Sequence, residues 1–246
     1  MMSLTEVNRT GVLTNQVRYK LKSYIDVFAT LVIIQLLGVL LSFDGSAMSS
    51  YTGYAIEMEA YYYSADIVMG FTIVWGFVVS LLLTTKAYRE DDFAFVANRM
   101  TSHFSSIIFI GIASVIGGMT AVLSGFLLQV LMYYGIGYQN ILISEGLTEP
   151  LYMLTGMAGA VLFIFLFSSL GYFVGMLAQV HWVMVIVVPA AFIGVTIMLN
   201  LNVMPWLGAF FFQESSFPVF LTKIVLATAV LFTVAGLISN RLEVKR

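Results

Sequence analysis

Long apolar runs separated by short polar segments form the pattern of this 246-residue chain. Six runs are long enough to cross a membrane, since a spanning helix needs about 20 apolar residues. They predict spans at residues 27–43, 67–85, 107–136, 151–178, 182–201 and 219–239. The third and fourth runs exceed the required length, so we expect those helices to tilt, kink or project from the bilayer. Pro189 lies inside the fifth run and is expected to bend it.

The basic residues lie almost entirely on one side of these runs. All eleven Lys and Arg residues except Lys223 precede span one, join spans two and three, or follow span six. Positively charged loops remain in the cytoplasm, so both termini and the 88–105 loop are predicted to be cytoplasmic. Residues 44–66 are then predicted to lie outside.

Composition supports a membrane location. Hydrophobic types make up 60% of the chain and charged types 10%, against roughly 25% charged residues in a soluble domain. The predicted fold class is therefore an all-α polytopic membrane protein of six transmembrane helices, formed as a single domain over residues 1–246. We expect it in the cell membrane, as a multi-pass protein of a bacterial plasma membrane. Nothing in the charge pattern suggests binding of nucleic acid.

An amphipathic helix is predicted at residues 13–28, before the first span. Leu13, Val17, Leu21, Ile25 and Phe28 recur at helical spacing, with Tyr24 beside them and Arg18, Lys20 and Lys22 supplying positive charge. This pattern is typical of a helix at the cytoplasmic interface, with its apolar face in lipid and its cations near anionic headgroups. A simple topology anchor is the alternative, and both interpretations can hold together.

A polar island, YREDDFAFVANRMTSHFS at residues 88–105, joins spans two and three. Its apolar residues fall on one helical face: Phe93, Val96, Ala97, Met100 and Phe104. Glu90, Asp91 and Asp92 stand where a helix N-terminus favours negative charge, and Arg99 and His103 stand toward the C-terminus, where cations are favoured. The pattern predicts a short capped helix. The residues alone leave two uses equally open, a docking element for a cytoplasmic partner or a solvated connector.

The last outer segment, residues 202–217, is too apolar for a free loop and is interrupted by Pro205. It is predicted to be a re-entrant or interfacial hairpin shielded by protein or headgroups. Gly171 and Gly175 have the spacing of small residues at helix interfaces. We favour packing within the chain over a dimer seam for this pair, and interhelical hydrogen bonding for Gln35 within span one.

Catalytic motifs are absent from the sequence. It has no phosphate-binding P-loop, no H-E-x-x-H and no G-x-S-x-G. No charged residue lies at the middle of a predicted span, which argues against an ion-coupled pump and against catalysis within the membrane. His103 and His181 fall in different predicted loops, where a lone histidine is usually solvated or caps a helix. The chain is therefore predicted not to be an enzyme, with no catalytic, metal or cofactor site of its own.

This layout resembles the permease subunit of a type-2 ABC exporter. The resemblance covers the basic helix at 13–28, six spans with both ends inside, a coupling helix within 88–105 and the outer hairpin at 202–217. It implies two permease chains, identical or homologous, with two separate cytoplasmic ATPase subunits that bind ATP and Mg. The ATPase contacts it implies are Asp91, Asp92, Phe93, Phe95, Asn98 and Arg99, with His181 in a second loop.

The expected function is ATP-driven export of an apolar or amphipathic substrate such as a peptide, a lipid or a drug-like molecule. A conduit without charge in mid-membrane suits such cargo better than a small ion. Two other classes remain open, a non-transporting membrane scaffold or assembly protein and an intramembrane enzyme. Co-purification with a P-loop ATPase would separate the exporter from both.

Overall fold

The structure is a computed structural model that describes residues 9–44, 47–52, 57–62, 66–88, 99–136, 150–198, 203–212 and 216–241. Its helices are α1 Arg9–Ser23, α2 Ile25–Leu41, α3 Asp66–Leu83, α4 Arg99–Ile136, α5 Pro150–Val180, α6 Met184–Met198, α7 Val203–Phe212 and α8 Phe217–Arg241. The predicted helical fold class is confirmed, and each of the six predicted spans coincides with a helix.

Four helical segments are long and apolar enough to cross a membrane: Asp66–Leu83, Met100–Gly135, Met153–Val180 and Phe217–Ser239. A fifth span results if α1 and α2, which meet at a bend of 50°, count as one. These lengths are consistent with a multi-pass membrane protein. Helix α6 contains Pro189 and has only 15 residues, short of the about 20 that a span needs. A total of six spans therefore stays a prediction.

The helix at the N-terminus is shorter than predicted. Residues 13–28 were expected to form one helix, but α1 ends at Ser23 and α2 begins at Ile25. The change of direction falls at Tyr24, whose side chain is 7% exposed and packs against other aromatic rings. Burial of this ring explains why the chain turns here. The apolar spacing of residues 13–28 continues without a break and so did not predict the turn.

Helix α4 begins earlier than predicted, at Arg99 rather than at residue 107. No Gly or Pro occurs between Arg99 and Ile110, so nothing in this stretch ends or interrupts a helix. The C-terminal part of the polar island is therefore the first two turns of a 38-residue helix and not the end of a separate short one. Residues 89–98 lie outside the described part of the chain.

A β-hairpin lies between α2 and α3, in a region predicted only as an outer loop. Strand β1, Ala47–Thr52, pairs antiparallel with β2, Glu57–Tyr62, and Ser50 lies opposite Glu59. Tyrosine and threonine favour strands, and the alternation of polar with apolar residues at the start of β2 has the period of a strand. The helical class stands, and one two-stranded sheet accompanies the helices.

The chain divides into two compact units. The first contains the described residues of Met1–Ile25, Phe77–Ile112 and Phe165–Arg246, and the second those of Asp26–Gly76 and Ala113–Ile164. Within the second unit, the buried core is formed by Val39, Val68, Ala121, Leu128 and Met132. Within the first unit, fully buried side chains include Phe109, Ile110 and Ile224.

Glycines allow close helix contacts inside each unit. In the first unit, Gly171 faces the backbone of Phe77 and Gly175 faces the Thr84 side chain, so α5 packs directly on α3. In the second unit, Gly118 lies against the backbone of Val161. The prediction that Gly171 and Gly175 serve packing within the chain is confirmed.

The outer segment predicted as a hairpin at 202–217 contains α7, whose 10 residues are too few to span a bilayer. Lys223 of α8 donates a hydrogen bond to the Phe210 carbonyl at 3.4 Å. Its ammonium also lies 4.3 Å from the centre of the Phe210 ring. A cation over an aromatic face is attracted to it, so Lys223 holds α7 against α8.

Candidate coupling site at the base of segment 89–98

The structure describes the two ends of the polar island. Asp91, Asp92, Phe93, Phe95 and Asn98 lie within segment 89–98, outside the described residues. Arg99 is the first residue of α4. We define the base of segment 89–98 as Tyr88 on one side and residues 99–106 on the other. All of the base belongs to the first unit.

Lys20 connects α1 to the base. Its ammonium donates a hydrogen bond to the Ser106 hydroxyl at 2.7 Å, and its side chain is 2% exposed. Ser106 in turn donates to the Ser102 carbonyl at 3.0 Å. Arg18 and Lys22 are exposed, whereas Lys20 is buried and does not face headgroups as predicted. The interfacial position of the helix stays a prediction. A charge-assisted hydrogen bond in a buried setting is among the stronger polar contacts, so α1 is held firmly on α4.

Aromatic packing joins α1 to the other side of the base. The Tyr24 ring stands edge-on to Tyr88, with centroids 4.7 Å apart. It also packs edge-on against Phe109 of α4 at 6.0 Å. Edge-to-face pairs of this kind contribute beyond the area that they bury. Tyr24 therefore ties both ends of segment 89–98 to the start of the first predicted span.

His103 connects the base to α5 and α8. Its Nδ1 atom forms a hydrogen bond with the Tyr172 hydroxyl at 3.0 Å, and both side chains are buried. The Tyr172 ring packs against Phe232 of α8 at 5.7 Å. Gly236 leaves room for the imidazole, because a Cβ atom there would lie 3.1 Å from His103 Nε2. His103 was expected to be solvated or to cap a helix. It is instead buried within the first turns of α4.

The buried side of α1 shows a signal that the sequence interpretation missed. Gln16, Lys20 and Tyr24 are spaced four residues apart and are all buried. No described residue forms a hydrogen bond with the Gln16 amide. Polar residues at helical spacing form one face of a helix, and such a face is normally expected to be exposed to water. Here that face is buried in the protein. The spacing was visible in the sequence, whereas its direction was not.

His181 lies in the turn between α5 and α6, and it is exposed. Its Nδ1 atom accepts a hydrogen bond from the Val183 N–H at 3.3 Å. His181 thus fits the expectation that a lone loop histidine is solvated or caps a helix. Its contact with a second ATPase surface stays a prediction.

The described part of the base joins helices through polar and aromatic contacts. No group of three or more His, Cys, Asp or Glu side chains suited to a metal occurs among the described residues. The polar contacts at the base instead join α1, α4 and α5 through Lys20–Ser106 and His103–Tyr172, and aromatic packing extends them to α8. Four helices, α1, α4, α5 and α8, therefore meet through these contacts.

A separate polar cluster lies inside the second unit. Gln35 of α2 donates from Nε2 to the hydroxyls of Thr72 at 3.3 Å and Thr120 at 2.9 Å, and to the Gly117 carbonyl at 3.2 Å. Trp75 donates to the Thr30 hydroxyl at 3.1 Å. The predicted interhelical hydrogen bonding of Gln35 is confirmed, and it joins α2, α3 and α4.

Comparison of this chain with protein-family models, with curated proteins and with solved structures finds no match.

Proposed function

We propose that this chain is the permease subunit of an ATP-driven exporter of the type-2 ABC class. In this proposal, segment 89–98 docks on a separate cytoplasmic ATPase. The observation that carries it is the way in which the base of segment 89–98 is anchored. A solvated connector needs only short polar ends, whereas His103 and Ser106 of this base are buried. The base contacts α1 through Lys20 and Tyr24 and α5 through His103, and Tyr172 extends the contact to α8.

The anchoring supports a mechanism in which docking moves helices. ATP binding closes two ATPase subunits and displaces segment 89–98, whose aromatic residues supply contact and whose charges determine register. Because Ser106 and His103 sit in the first turns of α4, the displacement passes directly to that helix. The ATPase shifts the permease between inward and outward states only if it binds them with different affinity, so the contact must differ between the two states.

The remaining features of the proposal concern the assembly and its membrane. Six spans place both termini in the cytoplasm, and α1 lies at the cytoplasmic surface of a bacterial cell membrane, held to the bundle by Lys20. Two permease chains, identical or homologous, work with two ATPase subunits that bind ATP and Mg. The cargo is apolar or amphipathic, because the predicted spans carry no charge at mid-depth.

Two variants on α1 test the proposal. In Lys20→Met, the buried hydrogen bond to Ser106 is lost, while a side chain of similar length still fills the space. Lys22→Met removes an equal charge from an exposed position of the same helix and serves as the matched control. We expect both variants to insert and to co-purify with the ATPase, and only Lys20→Met to uncouple ATP hydrolysis from export.

Two further outcomes decide between function classes. Phe95→Ala is expected to weaken co-purification with the ATPase by about 2 kcal/mol, the size of a buried aromatic anchor. If no P-loop ATPase co-purifies with the unmodified chain, the exporter is refuted and the membrane scaffold becomes the better function. Equal coupling in Lys20→Met and Lys22→Met would refute the proposed path through α1.

A further inference from the structure

A groove of about 250 Å³ lies in the second unit, between α2 and α4. Its lining is largely apolar. Three polar residues also line it, the buried Gln35 and the half-buried Thr120 and Ser124, and we call these three the floor of the groove. The apolar lining consists of Val32, Leu36, Val39, Leu123 and Leu127. No charged side chain is among the residues that line it, so a charged ligand would enter without compensation for its lost hydration.

The hydroxyl protons on the floor are already in use. Thr120 donates to the Ile116 carbonyl at 2.7 Å, and Ser124 donates to the Ala121 carbonyl at 2.6 Å. Both bonds are made within α4, as is common for Ser and Thr in helices. These two hydroxyls can therefore accept a hydrogen bond from a ligand in the groove but cannot donate one.

The Gln35 amide is oriented by its neighbours. Its Nε2 atom lies 3.2 Å from the Gly117 carbonyl, which is an acceptor only, so the NH₂ group and not the oxygen must face that side. The two amide protons are shared among three acceptors, the Gly117 carbonyl and the hydroxyls of Thr72 and Thr120. No described residue donates to Oε1, which is consequently the polar atom that Gln35 can offer to a ligand.

We propose that this groove binds a neutral amphiphile, with its apolar chain against the leucine and valine walls and one hydroxyl or amide N–H donated to Gln35 Oε1. The floor contains acceptors and no spare donors, so a ligand with a donor gains a hydrogen bond that a ligand with only acceptors cannot make. Under the proposed export function, this groove would be a site for cargo. That role rests on the proposed function, whereas binding of the amphiphile does not.

The test uses the full chain in lipid nanodiscs and a long-chain alcohol that carries a diazirine in its alkyl chain. After photolysis, mass spectrometry is expected to locate adducts on residues 32–39 and 120–127. Oleyl alcohol should prevent labelling at a concentration about three- to tenfold lower than its methyl ether, which has the same chain but no donor. Absence of adducts from both stretches would overturn the site.

Two variants with a control test the geometry. Leu36→Phe fills the groove and should abolish labelling. Leu37→Phe adds the same volume on the same helix outside the groove and should leave labelling unchanged; the two leucines are similarly exposed, at 53% and 49%. Gln35→Met removes the acceptor, so the alcohol and the ether should then compete equally. Labelling of Leu36→Phe, or an alcohol preference retained by Gln35→Met, would overturn the assignment.

The outcomes of this test distinguish failure of the groove proposal from failure of the proposed export function. Selective labelling without any associated ATPase would refute export and leave the binding site in place. An ATPase complex that exports while the groove takes up no alcohol would refute the groove and leave the proposed function standing.

Discussion

The contact between α3 and α5 can be tested by a single substitution at Gly171. In Gly171→Ala, the added Cβ atom would meet the carbonyl oxygen of Phe77 and would lie 2.9 Å from its carbonyl carbon and 3.0 Å from its Cα. These are backbone atoms and cannot rotate away, so the two helices must separate. Overpacking of this kind costs about 1–3 kcal/mol.

Gly159→Ala is the matched control, because Gly159 lies on the same helix with no atom within 4 Å of an added Cβ. Both variants gain the helix preference of Ala over Gly, about 0.8–1.0 kcal/mol. The difference between them therefore isolates the overpacking, and Gly171→Ala should be less stable than Gly159→Ala by about 1–3 kcal/mol.

Unfolding of both variants in mixed micelles, followed by helical circular dichroism as SDS is added, measures this difference. The proposed export function adds a second expectation, that Gly171→Ala reduces coupling to the proposed ATPase, because Gly175 and Thr84 continue the same contact. Equal stability of the two variants would refute the direct packing of α5 on α3.

Two other outcomes follow from the same structure. In Tyr172→Phe, the buried imidazole of His103 loses the hydrogen bond of its Nδ1 atom, so stability to SDS should fall by about 1–3 kcal/mol. Tyr134→Phe, at a residue that is 84% exposed, should change it by less than about 0.5 kcal/mol, and equal losses would contradict the buried pair. In the natural cysteine-free chain, Met58→Cys should react with an impermeant maleimide from outside and Lys86→Cys only from the cytoplasm; the reverse pattern would overturn the topology.

The apolar runs alone were sufficient to predict the helices. A segment of about 20 apolar residues in a bilayer must satisfy its backbone hydrogen bonds within itself, so its helical state is a local property. All six predicted spans accordingly coincide with helices. The boundaries were less predictable, since α4 begins at Arg99 and the chain turns at Tyr24 for reasons of packing.

The β1–β2 hairpin was missed because pairing of two strands depends on partners outside each strand, and the surrounding residues looked like a polar loop. The candidate site was predicted only in part. The polar island at 88–105 was selected for its charges, and its use for docking stays a prediction. The burial of His103 was not foreseen, because a histidine between two spans looks the same whether it is solvated or packed.

The sequence by itself determined the helical class, the apolar character of the spans and the asymmetry of basic residues, because each is a property of a local run. Only the tertiary structure decided which helix faces pack against each other. Lys20 pairs with Ser106 across 86 residues, and His103 pairs with Tyr172 across 69. In a membrane protein, lipid-facing and core-facing surfaces are both apolar, so hydrophobic periodicity does not tell which face of a helix is buried. That choice depends on close packing and hydrogen bonds between helices, which exist only once the chain has folded.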